Sequence, residues 1–194
     1  MPIILFNYDW MIYNCYLACL AVGLGYLALR SKGILLKSLF GLLWLLFLPN
    51  TIYLFTDLEH LVYQWHLVRP SVLPLFLFEY LFLEVIGIIT FLLSFLPFEK
   101  LLRKVNFFKH RETVMLIIFN FLIAFGMVLG RVERINSWQV FTQPVKVFNS
   151  AINVFISPDL LGLTVLFGLL CNFVYFLFRV KLLSLDKKYL RLLD

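Results

Sequence analysis

Five times between residues 10 and 178 the chain runs apolar for close to the twenty or so residues that carry an α-helix through a bilayer. The runs cover residues 10–29, 34–55, 72–96, 114–130 and 160–178. Backbone in lipid must satisfy its own N–H and C=O groups, which leaves helices and closed barrels as spanning structures. Apolar runs of this length, without strand-like alternation, read as helices. The composition agrees: 62% of the 194 residues are hydrophobic and 14% charged, where soluble domains are nearer half apolar. The predicted fold is all-α, a polytopic membrane protein with five transmembrane helices forming one integral domain over residues 1–194. No length is left for a separate soluble module.

The charged residues lie between the runs, and their bias sets an orientation. Thirteen of the seventeen lysines and arginines follow the first, third and fifth runs, at Arg30, Lys32, Lys37, Lys100, Arg103, Lys104, Lys109, Arg111, Arg179, Lys181, Lys187, Lys188 and Arg191. Arg69, Arg131, Arg134 and Lys146 fall on the other side. The positive-inside rule then predicts an extracytoplasmic N-terminus and a cytoplasmic C-terminus, in the cytoplasmic (inner) membrane. No basic residue precedes the first run, which argues against a cleavable signal peptide. The net charge of +6 sits in short loops between spans, which points to anionic lipid and away from nucleic acid. The segment KLLSLDKKYLRLL near the end reads as a basic amphipathic tail on the inner leaflet. Residues 145–156, between Pro144 and Pro158, read as a short interfacial helix with Phe148, Ala151, Ile152 and Phe155 on one face.

Polar groups intrude at three places. Near the end of the second run, Asn50, Tyr53, Asp57 and His60 recur at i, i+3, i+7 and i+10, one stripe of a helix that Gln64 continues. Pro49 should break or kink the helix there, and Asn50 is placed to cap the freed carbonyls. Asp57 and His60 suit proton exchange or a shared cation. As metal ligands they are an incomplete set, so no metal is assigned. The plainer alternative is a wet helix end facing headgroups.

At the end of the fourth run stands Gly130-Arg131-Val132-Glu133-Arg134-Ile135-Asn136-Ser137-Trp138. Arg131 and Arg134 suit phosphate or carboxylate, and the Trp138 indole suits the interfacial belt. An ordinary Arg/Trp anchor is the alternative. Glu79 and Glu84 lie within the third run, where carboxylates are costly and face partners or water. Five residues apart, they diverge by about 140° on a helix and do not form a paired-acid site. Asn120 and Asn172 read as interhelical hydrogen-bonding residues, and Gly126–Gly130 as a G-x-x-x-G packing motif. Cys15, Cys19 and Cys171 lie in apolar runs and read as small packing residues. No HExxH, P-loop, GxSxG or dinucleotide fingerprint is present, so no cofactor is assigned.

Two of these segments carry a family resemblance. Phe47-Leu48-Pro49-Asn50, Tyr53, Thr56-Asp57-Leu58 and His60-Leu61 resemble the first signature of a bacterial membrane family, the domain of unknown function 1361. Gly130-Arg131, Arg134, Asn136-Ser137-Trp138 and Pro144 resemble its second. The resemblance implies a small polytopic bacterial membrane protein and brings no activity with it. Two positions depart from the pattern: Gln139 stands where an acid is expected after the tryptophan, and Thr51-Ile52 where a second proline is expected.

The topology puts both signatures on the extracytoplasmic side. The sequence-based expectation is one polar site at that boundary, formed by Asn50, Tyr53, Asp57, His60 and Glu79 with Arg131, Arg134, Asn136 and Trp138. It would bind or process an anionic headgroup or envelope lipid intermediate. Were it an enzyme, His60 and Asp57 would be the best catalytic candidates. Two other classes remain open: a proton-linked transporter or transporter subunit using Glu84 and Glu79, and a scaffold or accessory subunit. A homo-oligomer is compatible with each.

Overall fold

The computed structural model describes residues 2–104 and 111–191, without the side chains of residues 2–6, 54–56 and 185–191. Lys109, counted above among the orienting cations, lies outside the described residues, and the side chains of Lys187, Lys188 and Arg191 are not described. Among the described residues there are helices and no strands. In chain order they are α1 (Pro2–Arg30), α2 (Ile34–Phe47), α3 (Pro49–Thr56), α4 (Leu58–Gln64) with a 3-10 turn over Trp65–Leu67, α5 (Leu73–Lys104), α6 (Glu112–Arg131), α7 (Gln139–Thr142), α8 (Pro144–Ile156) and α9 (Pro158–Arg191). Five helical stretches are long and apolar enough to cross a membrane: Asn7–Arg30, Ile34–Leu67, Leu73–Lys104, Glu112–Arg131 and Pro158–Ser184. The chain is a multi-pass membrane protein with the five spans expected from its sequence.

The spans outrun the apolar runs for physical reasons. The third continues through Pro97 to Lys104, although a proline removes one helical hydrogen bond and crowds the carbonyl four residues back. Within a bilayer any non-helical backbone would leave more groups unsatisfied, so the helix persists. The fifth continues as one helix to Arg191, so the backbone of the basic C-terminal segment extends α9 instead of forming a separate element. The second is three helices end to end. The Thr51 N–H bonds the Leu48 carbonyl at 3.1 Å, and the Thr51 hydroxyl donates to the same oxygen at 2.8 Å. Asn50 Nδ2 donates to the Phe47 carbonyl at 2.8 Å. The break expected at Pro49 is present, and Asn50 caps it.

The chain divides into two compact units, residues 1–91 and 92–194, with the boundary inside α5. In the first unit α1 packs along α2 and α3. Met11 and Ala18 of α1 pack with Phe76, Tyr80 and Leu83 of α5 to form a buried cluster. In the second unit α6 packs along α9, and α8 lies against both. Phe98 meets Phe119 and Phe95 meets Tyr175, with ring centroids 4.0 and 4.4 Å apart. Asn120 Nδ2 donates to Asn172 Oδ1 at 3.0 Å. A Cβ on Gly168 would collide with the Phe121 ring, so glycine is needed for α6 and α9 to approach there. The predicted interfacial segment is the helix α8; Phe155 pairs with Phe125 of α6 at 5.2 Å, and both Phe148 and Phe155 remain exposed.

Candidate functional site

The stripe on α3 and α4 meets a complementary stripe on α1, rung by rung. Asn14 Nδ2 donates to Asp57 Oδ2 at 3.0 Å. One turn along, the His60 ring lies 5.2 Å from that of Trp10. One turn further, Gln64 and Asn7 exchange amide hydrogen bonds of 2.7 and 3.0 Å. The Trp10 indole donates to Asn7 Oδ1 at 3.1 Å, and the Tyr80 hydroxyl donates to Gln64 Oε1 at 3.3 Å. Residues 14, 10 and 7 descend as 57, 60 and 64 ascend, because the two helices run antiparallel and each repeats a face every three to four residues.

The ladder encloses Asp57 and Asn7 completely, while His60 stays exposed. Tyr53 is half-buried. Asn7, Trp10, Asn14 and Tyr80 are the polar partners that sequence reasoning missed. The signal was present: Asn7 and Asn14 are seven residues apart, with Trp10 between them, and so share one helical face. Glu79, one residue before Tyr80, is half-buried, and its Oε2 has no hydrogen-bond partner among the described residues. The same holds for Glu84 Oε1.

The second signature forms the turn that ends α6. Arg131 is the last residue of that helix. Arg134 lies beyond it with φ of 53°, in the left-handed region that non-glycine residues avoid. The two arginines therefore do not share a helical face at i, i+3. Backbone bonds from Glu133 to Val128 and from Ile135 to Leu129 close the turn, and Ile135 is buried beneath it. Glu133 accepts from Asn153 of α8 at 2.8 Å. The side chains of Arg134, Asn136 and Trp138 remain exposed, and Arg131 is half-buried. Gln139 Oε1 accepts the Asn136 backbone N–H at 2.7 Å. A carboxylate would accept the same bond, so the residue after the tryptophan has a turn-closing role that either side chain fills.

A third charged group was not anticipated as a unit. Glu99 and Arg103 at the end of α5, Glu112 at the start of α6 and Arg179 of α9 form one cluster. Arg179 Nε bonds Glu99 Oε1 at 2.5 Å, and its Nη2 bonds Glu112. Arg103 Nη2 bonds Glu112 at 2.9 Å and lies 3.8 Å from Glu99. The Glu99 side chain is 1% exposed. Two cations and two carboxylates cancel, so the cluster joins α5, α6 and α9 without net charge. Only the i, i+4 spacing of Glu99 and Arg103 was a signal in the sequence.

The described residues contain no group of three potential metal ligands, and their cysteines are free. Neither a curated protein nor a solved structure matches the chain. A family model does, over residues 13–174, which include both signature segments. The chain belongs to the family described as protein of unknown function, domain of unknown function 1361.

Proposed function

We propose that this protein resides in the cytoplasmic membrane of a bacterium, with its N-terminus outside. There it binds an anionic lipid headgroup at the extracytoplasmic boundary through the turn after α6. The observation that carries this reading is Arg134: an exposed guanidinium held on a left-handed backbone, beside an exposed Asn136 amide and Trp138 indole. Non-glycine residues in that conformation concentrate where a side chain is needed in one direction. Guanidinium groups match phosphate oxygens, and an indole suits the glycerol and upper acyl region. Arg131 is the second cation of the turn. In the first unit, Asn50 and Asp57 hold the helix break and the ladder, Tyr53 stands between them in sequence, and the His60 imidazole is exposed and chemically suited to proton exchange.

The test is native mass spectrometry of the delipidated protein with added phosphatidylglycerol, beside Arg131→Ala and Arg134→Gly. Retention by the wild type and its loss in folded variants supports the reading; equal retention in all three overturns it. Glu84 favours a second reading, because a carboxylate oxygen without a hydrogen-bond partner inside a span is a feature of proton-linked transport. Glu84→Gln would then abolish proton flux in proteoliposomes and leave phosphatidylglycerol retention intact.

A further inference from the structure

Between α1 and the first part of α5 runs a groove of about 480 Å³, within the roughly 300–1,000 Å³ of small-molecule sites. Its walls are apolar side chains and thiols, among them Ile12, Cys15 and Cys19 of α1 and Leu83 and Ile86 of α5. One carboxylate opens into it, that of Glu79. Glu79 Oε2 is buried without a hydrogen-bond partner among the described residues.

Three properties define what would fill this groove. Its walls call for hydrocarbon. Its length matches part of an acyl chain: Glu79 and Ile86 are seven residues apart on one helix, about 10 Å. Its one charged group is an acceptor, and the Tyr8 and Tyr16 phenols are its other polar side chains. A carboxylate oxygen left without a donor in an apolar span is expensive, and an N–H from a cation is the donor that satisfies both its hydrogen bond and its charge. Glu79 also sits near one end of its span. It lies six residues into α5, about 9 Å from the helix start, next to the Asn7–Gln64–Tyr80 end of the polar ladder.

We propose that the groove between α1 and α5 binds a membrane lipid bearing a primary ammonium group, with the ammonium on Glu79 and an acyl chain along Ile12, Cys15 and Ile86. This site lies wholly in the first unit and does not rest on the anion-binding turn after α6. Charge complementarity selects its occupant: Glu79 attracts an ammonium and repels a headgroup whose only charge is phosphate.

The test uses the full chain, delipidated in mild detergent and given equal amounts of phosphatidylethanolamine, phosphatidylcholine or phosphatidylglycerol with identical acyl chains. Retained lipid is read by native mass spectrometry. Blocking Arg134 with Arg134→Gly in all samples removes the other lipid contact from the comparison. Phosphatidylethanolamine should be retained about tenfold over the other two, the ratio that one charge-assisted hydrogen bond supplies. Phosphatidylcholine has the same charge without an N–H donor, so this comparison needs no Glu79 variant. Glu79→Gln should then bring phosphatidylethanolamine down to the level of phosphatidylcholine. Ile12→Trp, at an exposed groove position, should lower retention of every lipid. Equal retention of the three lipids would overturn the proposal. So would an unchanged preference in Glu79→Gln, or a lipid-free dimer in which a second copy covers the groove.

Discussion

Arg134 is a residue on a backbone that glycine would occupy more comfortably. Left-handed geometry costs a non-glycine residue about 1–2 kcal/mol, so Arg134→Gly should raise thermal stability in detergent by about 1 kcal/mol while phosphatidylglycerol binding falls. A loss of both would mean that the side chain supports the turn and nothing else. Arg179 poses the opposite case. Its partner Glu99 is 1% exposed, and removing one member of a buried ion pair leaves the other without compensation, at about 3–5 kcal/mol. Arg179→Met should therefore unfold well below the wild type, and Arg179→Met with Glu99→Met should recover part of that loss. If the double variant is the worse of the two in unfolding experiments, the cluster stabilises more than it costs to desolvate.

The stripe from Asn50 to Gln64 and its break at Pro49 were legible as elements, because spacing on a helix is a property of sequence and a proline's missing donor is local. The partners of the stripe were not legible. Asn7 and Asn14 drew no notice in the sequence; only helix packing sets them opposite Gln64 and Asp57. Asn14→Leu should cost about 1–3 kcal/mol, the penalty for taking a hydrogen-bond donor away from a buried carboxylate, measured by thermal unfolding. Gly168 was equally silent. Nothing in its local sequence separates it from Gly162, yet a Cβ at Gly168 meets the Phe121 ring and one at Gly162 meets nothing within 4 Å. Gly168→Ala should cost about 1–3 kcal/mol by overpacking, and Phe121→Leu in the same chain should restore most of it. Recovery is the informative outcome, since simple loss of glycine flexibility would not respond to a change at position 121.

At the scale of the whole molecule, the count of five spans followed from hydropathy alone, since a bilayer asks for length and apolarity before anything else. Where the spans end did not, because Pro97 and the basic segment after Phe178 looked like terminators and are continued helix. In intact cells, an impermeant thiol reagent should label Trp138→Cys and not Lys32→Cys in an otherwise cysteine-free chain; the reverse pattern would invert the orientation drawn from loop charge.

The ladder between α1 and α4 also constrains how the protein is made. Asn14 lies 43 residues before Asp57, and Asn7 lies 57 residues before Gln64. When the first helix leaves the ribosome, its amides have no partner on another helix, and the carboxylate and amide that will meet them have yet to be translated. Neither helix is a comfortable solitary guest of the lipid. The first helix is therefore best kept beside the insertion machinery until the second arrives, so that the pair enters the bilayer as a hairpin with its polar seam already shut.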